Sequence, residues 1–136
     1  MSINYQDALA MAEEWISAFN DRQLDVLMDH YAATIEFSSP RVAQVHQATQ
    51  GEYGDASGTL IGVDALRRYF GLALKNVSNL RLELIQVLLS GTAPDGCSQI
   101  AVVYKRETGA VAAEVMALRP DRRVQRAVVF YGPGGM

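Results

Sequence analysis

The chain has 136 residues, 49% hydrophobic and 20% charged, with a formal net charge of −3. These values exclude a largely disordered chain, a collagen-like repeat and a coiled-coil rod, and they fit one domain over residues 1–136. A single cysteine, Cys97, excludes an internal disulfide and a cysteine-rich zinc site. Along the chain, Tyr5, Ala8, Leu9, Ala12, Trp15, Ile16 and Phe19 recur at helical spacing, with Asn4 placed to cap the first turn. A shorter stripe of Leu24, Leu27, Met28 and Tyr31 predicts a second helix, with Asn20 or Asp21 as its cap. Ile35 to Pro40 reads as a short strand ended by proline. Residues 41–61, polar and glycine-bearing, read as a long loop with room for one short strand. A third helix begins near Gly62 and carries Val63, Leu66, Tyr69, Phe70, Ala73, Leu74 and Val77.

From Leu80 onward the period changes to two. Turn signals at Ala93-Pro94-Asp95-Gly96, Thr108-Gly109 and Pro120-Asp121-Arg122 divide this half into four strands. Connections this short join antiparallel neighbours, so a meander is expected, with three helices packed on one face of an α+β fold. If Thr108-Gly109 is a two-residue loop, Val103 pairs with Glu114. If the next turn holds three residues, Arg119 pairs with Arg123 and Met116 with Arg126. One face then carries Ile100, Val102, Tyr104, Val111, Ala113, Val115, Ala117, Ala127, Val129 and Tyr131. The other carries Val103, Lys105, Ala112, Glu114, Met116, Leu118, Val124, Arg126, Val128 and Phe130. Both faces are apolar enough to be covered, and only one can meet the helices. The outer one is expected to meet a second copy of the chain, as a homodimer.

Charge is unevenly spread, with a balance of −8 over residues 1–64 and +5 over residues 65–136. The basic residues are scattered, apart from Arg119, Arg122 and Arg123, so no nucleic-acid partner is expected. The first residues lack a basic stretch leading into an apolar core, and no apolar run approaches the roughly 20 residues of a membrane span. A cytoplasmic protein without a membrane partner is expected. No phosphate loop, zinc motif or nucleophile elbow occurs, so neither cofactor nor metal is expected. Cys97 has no predicted helix N-terminus or base beside it to activate its thiol.

Several stretches resemble the nuclear transport factor 2-like superfamily, in its SnoaL-like and ketosteroid-isomerase-like branch. They are Trp15 to Asn20, Leu27 to Ala32, Phe37 to Pro40, Gly58 to Phe70, and Glu114 to Leu118 before a turn and Val124. The resemblance implies a curved antiparallel sheet wrapped around the helices, a conical pocket of the cystatin-like α+β barrel type, and frequent homodimers. It also implies that Leu118 and Val124 face the helices, in which case Glu114 and Arg126 share their phase and point into the cone. In the isomerase pattern a first-helix tyrosine donates to the oxyanion, and Trp15 stands there. The isomerase's general base, an aspartate before proline, is replaced by Ser39 before Pro40, which has no useful basicity. Its second donor, a carboxyl four residues before the strand-end position, is matched by Glu114. The last strand ends in Phe130-Tyr131-Gly132-Pro133 without the acid of limonene-epoxide-hydrolase-like members. His30 and His46 do not suggest the histidine pair of scytalone-dehydratase-like ones.

Glu114 and Arg126 are the candidate catalytic residues, a titratable pair facing an apolar cone. Trp15, Phe19, Tyr31, Phe37, Ser39, Arg41, Tyr69 and Met116 are the candidate ligand-binding residues. Two functions stay open: a pocket protein for an apolar small molecule, or a cofactor-independent isomerase, cyclase or dehydratase using Glu114 as acid or base.

Overall fold

The computed structural model describes residues 3–92 and 98–133. The expected turn at residues 93–96 and Cys97 lie outside the described residues. Helix α1 (Tyr5–Asn20) buries Ala8, Ala12, Trp15, Ile16 and Phe19, and the Asp7 N–H donates to the Asn4 side chain at 2.8 Å. Helix α2 is short (Leu24–Met28) and is preceded by Gln23. Asp21 does not cap it, because the Asp21 N–H closes α1 onto the Ser17 carbonyl at 2.8 Å. Tyr31 is not on α2 but opens strand β1 (Tyr31–Ser38).

The stretch expected to be a long loop contains helix α3 (Pro40–Ala48). Pro40 ends the strand as expected, but it does so by starting a helix. Its fixed φ suits the first helical position, and Ser39 caps that turn by accepting the Arg41 N–H at 3.2 Å. The expected short strand is β2 (Thr59–Ile61), followed by α4 (Val63–Asn76) directly after Gly62. Strands β3 (Leu82–Thr92), β4 (Ser98–Arg106), β5 (Val111–Leu118) and β6 (Val124–Tyr131) form the meander.

The six strands run in the order β2-β1-β6-β5-β4-β3. The fold is α+β as expected, but among the described residues four helices rather than three accompany the sheet. The sheet is also mixed, because β1 lies parallel to β6. Among the described residues it is curved and unclosed, with β2 and β3 as its edges. Two residues near the α1–β3 junction tie the sheet edge to the helices. Asn20 exchanges two hydrogen bonds with the Leu82 backbone (2.9 and 2.7 Å), and Arg22 donates to the carbonyls of Leu80 and Ser78, both at 2.8 Å.

Register differs from expectation in two places. The β4–β5 loop holds three residues, Glu107, Thr108 and Gly109, with the Arg106 N–H bonded to the Ala110 carbonyl at 2.8 Å and Gly109 at φ +86°. Glu114 therefore pairs with Val102 rather than Val103. In β6 the turn is as expected, with Arg119 bonded to Arg123 and Leu118 opposite Val124. A bulge follows, and Met116 then faces Ala127 while Ala117 faces Arg126. The inner face accordingly combines Ile100, Val102 and Tyr104 with Ala112, Glu114, Met116 and Leu118, and with Val124, Ala127 and Val129. All of these are buried.

Gly58 holds the junction between β1 and α3. It sits at φ +85°, and a Cβ there would stand 2.5 Å from the Ser39 carbonyl oxygen. Gly58→Ala combines a left-handed alanine with this clash, so it should destabilise the fold by at least about 1–3 kcal/mol in urea unfolding. A change below a few tenths of a kcal/mol would remove the constraint.

Candidate functional site

A cavity of about 70 Å³ lies between the inner face of the sheet and helices α1 and α4. Trp15 and Phe19 come from α1, Phe37 from β1, Tyr69 and Phe70 from α4, and Leu82, Tyr104, Glu114 and Val129 from the strands. The aromatic rings hold one another edge-on: Trp15 meets Phe19 at 4.9 Å and Tyr104 at 5.6 Å, and Phe70 meets Phe19 at 5.1 Å and Phe37 at 5.5 Å between centroids. The partly exposed lining residues, among them Arg41, Ala73, Val77, Arg106 and Tyr131, mark the open side.

Glu114 is 2% exposed and stands mid-strand between Val102 and Val129, both buried and apolar. Trp15 Nε1 donates to the Tyr31 hydroxyl at 2.9 Å, and that hydroxyl donates to Glu114 Oε2 at 2.8 Å. Indole N–H can only donate, so the single Tyr31 proton is committed to Glu114. Burial pushes the Glu114 carboxyl up to about 8, against the opposing effect of the Tyr31 bond. At neutral pH it is therefore mostly the neutral acid. With Oε2 accepting from Tyr31, the acidic proton belongs on Oε1, which has no protein partner among the described residues. A buried neutral carboxyl of this kind can donate a hydrogen bond to a guest oxygen, or give up a proton.

Burial also raises the phenols of Tyr69 and Tyr104 above their ordinary value, so both stay neutral. The Arg41 and Arg106 guanidiniums oppose that shift at Tyr69, as Arg106 does at Tyr104.

Of the residues expected from sequence, Trp15, Phe19, Phe37, Ser39, Arg41, Tyr69 and Glu114 share the cavity wall. Tyr31 stands behind Glu114 as its hydrogen-bond donor. Met116 lines a separate void of about 10 Å³ beside Met11, Ala12 and His30. Arg126 does not point into the cone. The β6 bulge turns it outward, where its side chain is 65% exposed and its Nε lies 3.3 Å from Glu36. Ser39 caps α3, and His46 binds the carbonyls of Tyr53 and Gly54 (3.0 and 3.1 Å), away from His30. Sequence reasoning missed Tyr104 and Arg106. Period two from Ile100 and Val102 puts both on the inner face, and only the misread β4–β5 loop hid this.

No family model and no curated protein matches the sequence. Solved structures do. The chain is 33% identical to a SnoaL-like protein of unknown function from Burkholderia thailandensis, covering 96% of this chain and 98% of that one with a TM-score of 0.80. It is similar in fold to a candidate polyketide cyclase from Sinorhizobium meliloti (15% identity, 94% and 100% of the two chains, TM-score 0.66). It also matches part of the Anabaena orange carotenoid protein binding canthaxanthin (18% identity, 89% of this chain and 36% of that one, TM-score 0.66).

The Glu114 carboxyl fixes a sign for pH dependence. Below its ordinary value of 4.5 both folded and unfolded chains hold the proton, and above about 8 neither does. Between these limits only the folded state keeps it, so stability falls as pH rises, by at most about 1.4 kcal/mol per pH unit. Glu114→Gln should flatten this slope when wild type and variant are compared by denaturant unfolding from pH 4 to 9. Parallel curves across that window would mean the carboxyl is not held neutral.

Proposed function

Because the chain belongs to the SnoaL-like branch of the nuclear transport factor 2-like superfamily, we propose that its cavity binds a small, largely apolar molecule that presents an oxygen atom to Glu114. One observation carries this reading: a buried carboxyl at an aromatic cavity wall, with one oxygen engaged by Tyr31 and the other without a protein partner among the described residues. An aromatic wall supplies apolar area, and a single well-placed donor fixes orientation, which is the usual division of labour in small-molecule sites. The cavity has room for about five ordered waters, so the guest is small, on the scale of one ring.

A second reading follows from the same carboxyl. Its titration at about 8 lies near ordinary working pH, where a proton donor or acceptor is most effective. This favours a cofactor-independent isomerase, cyclase or dehydratase acting on an apolar carbonyl compound. Arg126, outside the cavity, has no part in either reading.

Pairing with a second copy through the outer face of the sheet belongs to the proposal. Leu88, Ala101, Val115 and Val128 stand in register across β3 to β6, and Phe130 beside them is 58% exposed. The setting proposed is the cytoplasm. Among the described residues no helix is long and apolar enough to cross a membrane.

Thermal stabilisation by small cyclic ketones and phenols, followed from pH 6 to 10, tests the site. Wild type should lose affinity as pH passes about 8, whereas Glu114→Gln, which keeps an N–H donor, should bind without that loss. Binding that ignores pH and survives Glu114→Ala would overturn the reading. Recovery of a chemically altered ligand from wild type but not from Glu114→Gln would establish the catalytic version. For the assembly, Val115→Arg should convert a dimer to a monomer in sedimentation velocity, and a wild-type monomer would sink that part.

A further inference from the structure

The arginines on the open side of the cavity point to the chemistry of the guest. Arg106 follows Tyr104 on the inner face of β4, and its side chain is only 9% exposed. Its Nη2 lies 3.1 Å from Glu107 Oε2, but its buried Nε has no partner among the described residues. Glu107 is itself shared, since its Oε1 accepts the Arg81 backbone N–H at 3.1 Å. Arg41, at the start of α3, is on the same wall and forms no ion pair among the described residues.

The remaining wall does not balance these two charges. Glu114 is mostly neutral at pH 7, and Tyr69 and Tyr104 hold their protons. Counting Glu107 against Arg106, the cavity wall keeps one positive charge in excess. An unpartnered buried guanidinium N–H is costly in a site whose walls are otherwise aromatic and aliphatic. Arg41 and Arg106 are both partly exposed, whereas Glu114 is 2% exposed. The positive groups therefore stand nearer the opening than the neutral carboxyl does.

We infer that the guest is an organic anion: a one-ring carboxylate whose charged group is held by Arg41 and Arg106 while its far end reaches Glu114. The inference rests on the binding reading above and adds the charge of the ligand. A planar carboxylate suits a guanidinium because the fork of N–H donors can take both oxygens, and it would supply the acceptor that Arg106 Nε lacks.

The test compares para-hydroxybenzoate with para-hydroxybenzamide, which share the ring and the hydroxyl but differ in charge, by calorimetric titration at pH 7. Wild type should bind the carboxylate at least about tenfold more tightly than the amide, the scale of a charged hydrogen bond. Arg106→Gln and Arg41→Gln should each reduce that preference, and the double variant should bring the two ligands within about twofold. Arg41 is partly exposed, so its variant reports even if Arg106→Gln fails to fold. Equal binding of the two ligands by wild type would overturn the anionic inference and leave the binding reading standing. Failure of every ketone, phenol and benzoate to bind would overturn both.

Discussion

The hydrogen-bond chain from Trp15 through Tyr31 to Glu114 is the constraint around which the site is organised. It joins α1, β1 and β5, which are far apart in sequence, with two bonds of 2.9 and 2.8 Å inside the aromatic core. A carboxyl among Val102, Val129 and the aromatic rings would be untenable without a donor, because buried polar groups left unpaired cost more than the bonds they replace. Tyr31 supplies that donor and Trp15 orients it. The remaining cost of desolvation is met by keeping the proton on Glu114. Trp15 reaches the carboxyl only through a tyrosine on another strand.

The shape of the cavity comes from irregularities in the backbone. The three-residue loop ending in Gly109 and the bulge in β6 each displace the register by one residue. Side chains alternate along a strand, so a one-residue slip exchanges the two faces. The first slip brings Tyr104 and Arg106 inward with Glu114. The second sends Arg126 outward to Glu36 while keeping Val124, Ala127 and Val129 on the core. The junction at Ser39, Pro40 and Gly58 completes the wall, since the helix it starts carries Arg41 to the open side.

Polarity in the cavity is graded. Glu114, mostly neutral, is 2% exposed, whereas Arg41 and Arg106 are partly exposed. An acid and two guanidiniums on one aromatic wall offer different partners to different groups of one small molecule. The place before Pro40, where the isomerase pattern has its base, is held by Ser39, which caps α3.

Local pattern in the sequence determined much of this. The stripes of α1 and α4, the Asn4 cap and the four-strand meander follow from short-range pattern, whereas the membership and the inward phase of Glu114 follow from the resemblance carried by stretches such as Trp15 to Asn20 and Gly58 to Phe70. Two signals were present but misread. Ser39 followed by Pro40 is a helix start, and the three-residue gap between Val124 and Ala127 breaks the period of two where the bulge lies. The parallel pairing of β1 with β6, the open edges of the sheet, the outward turn of Arg126 and the Tyr31–Glu114 bond were decided by tertiary structure. Each depends on which distant segments meet and in what register, and a period of two cannot distinguish one register from the next until a loop or a bulge has set it.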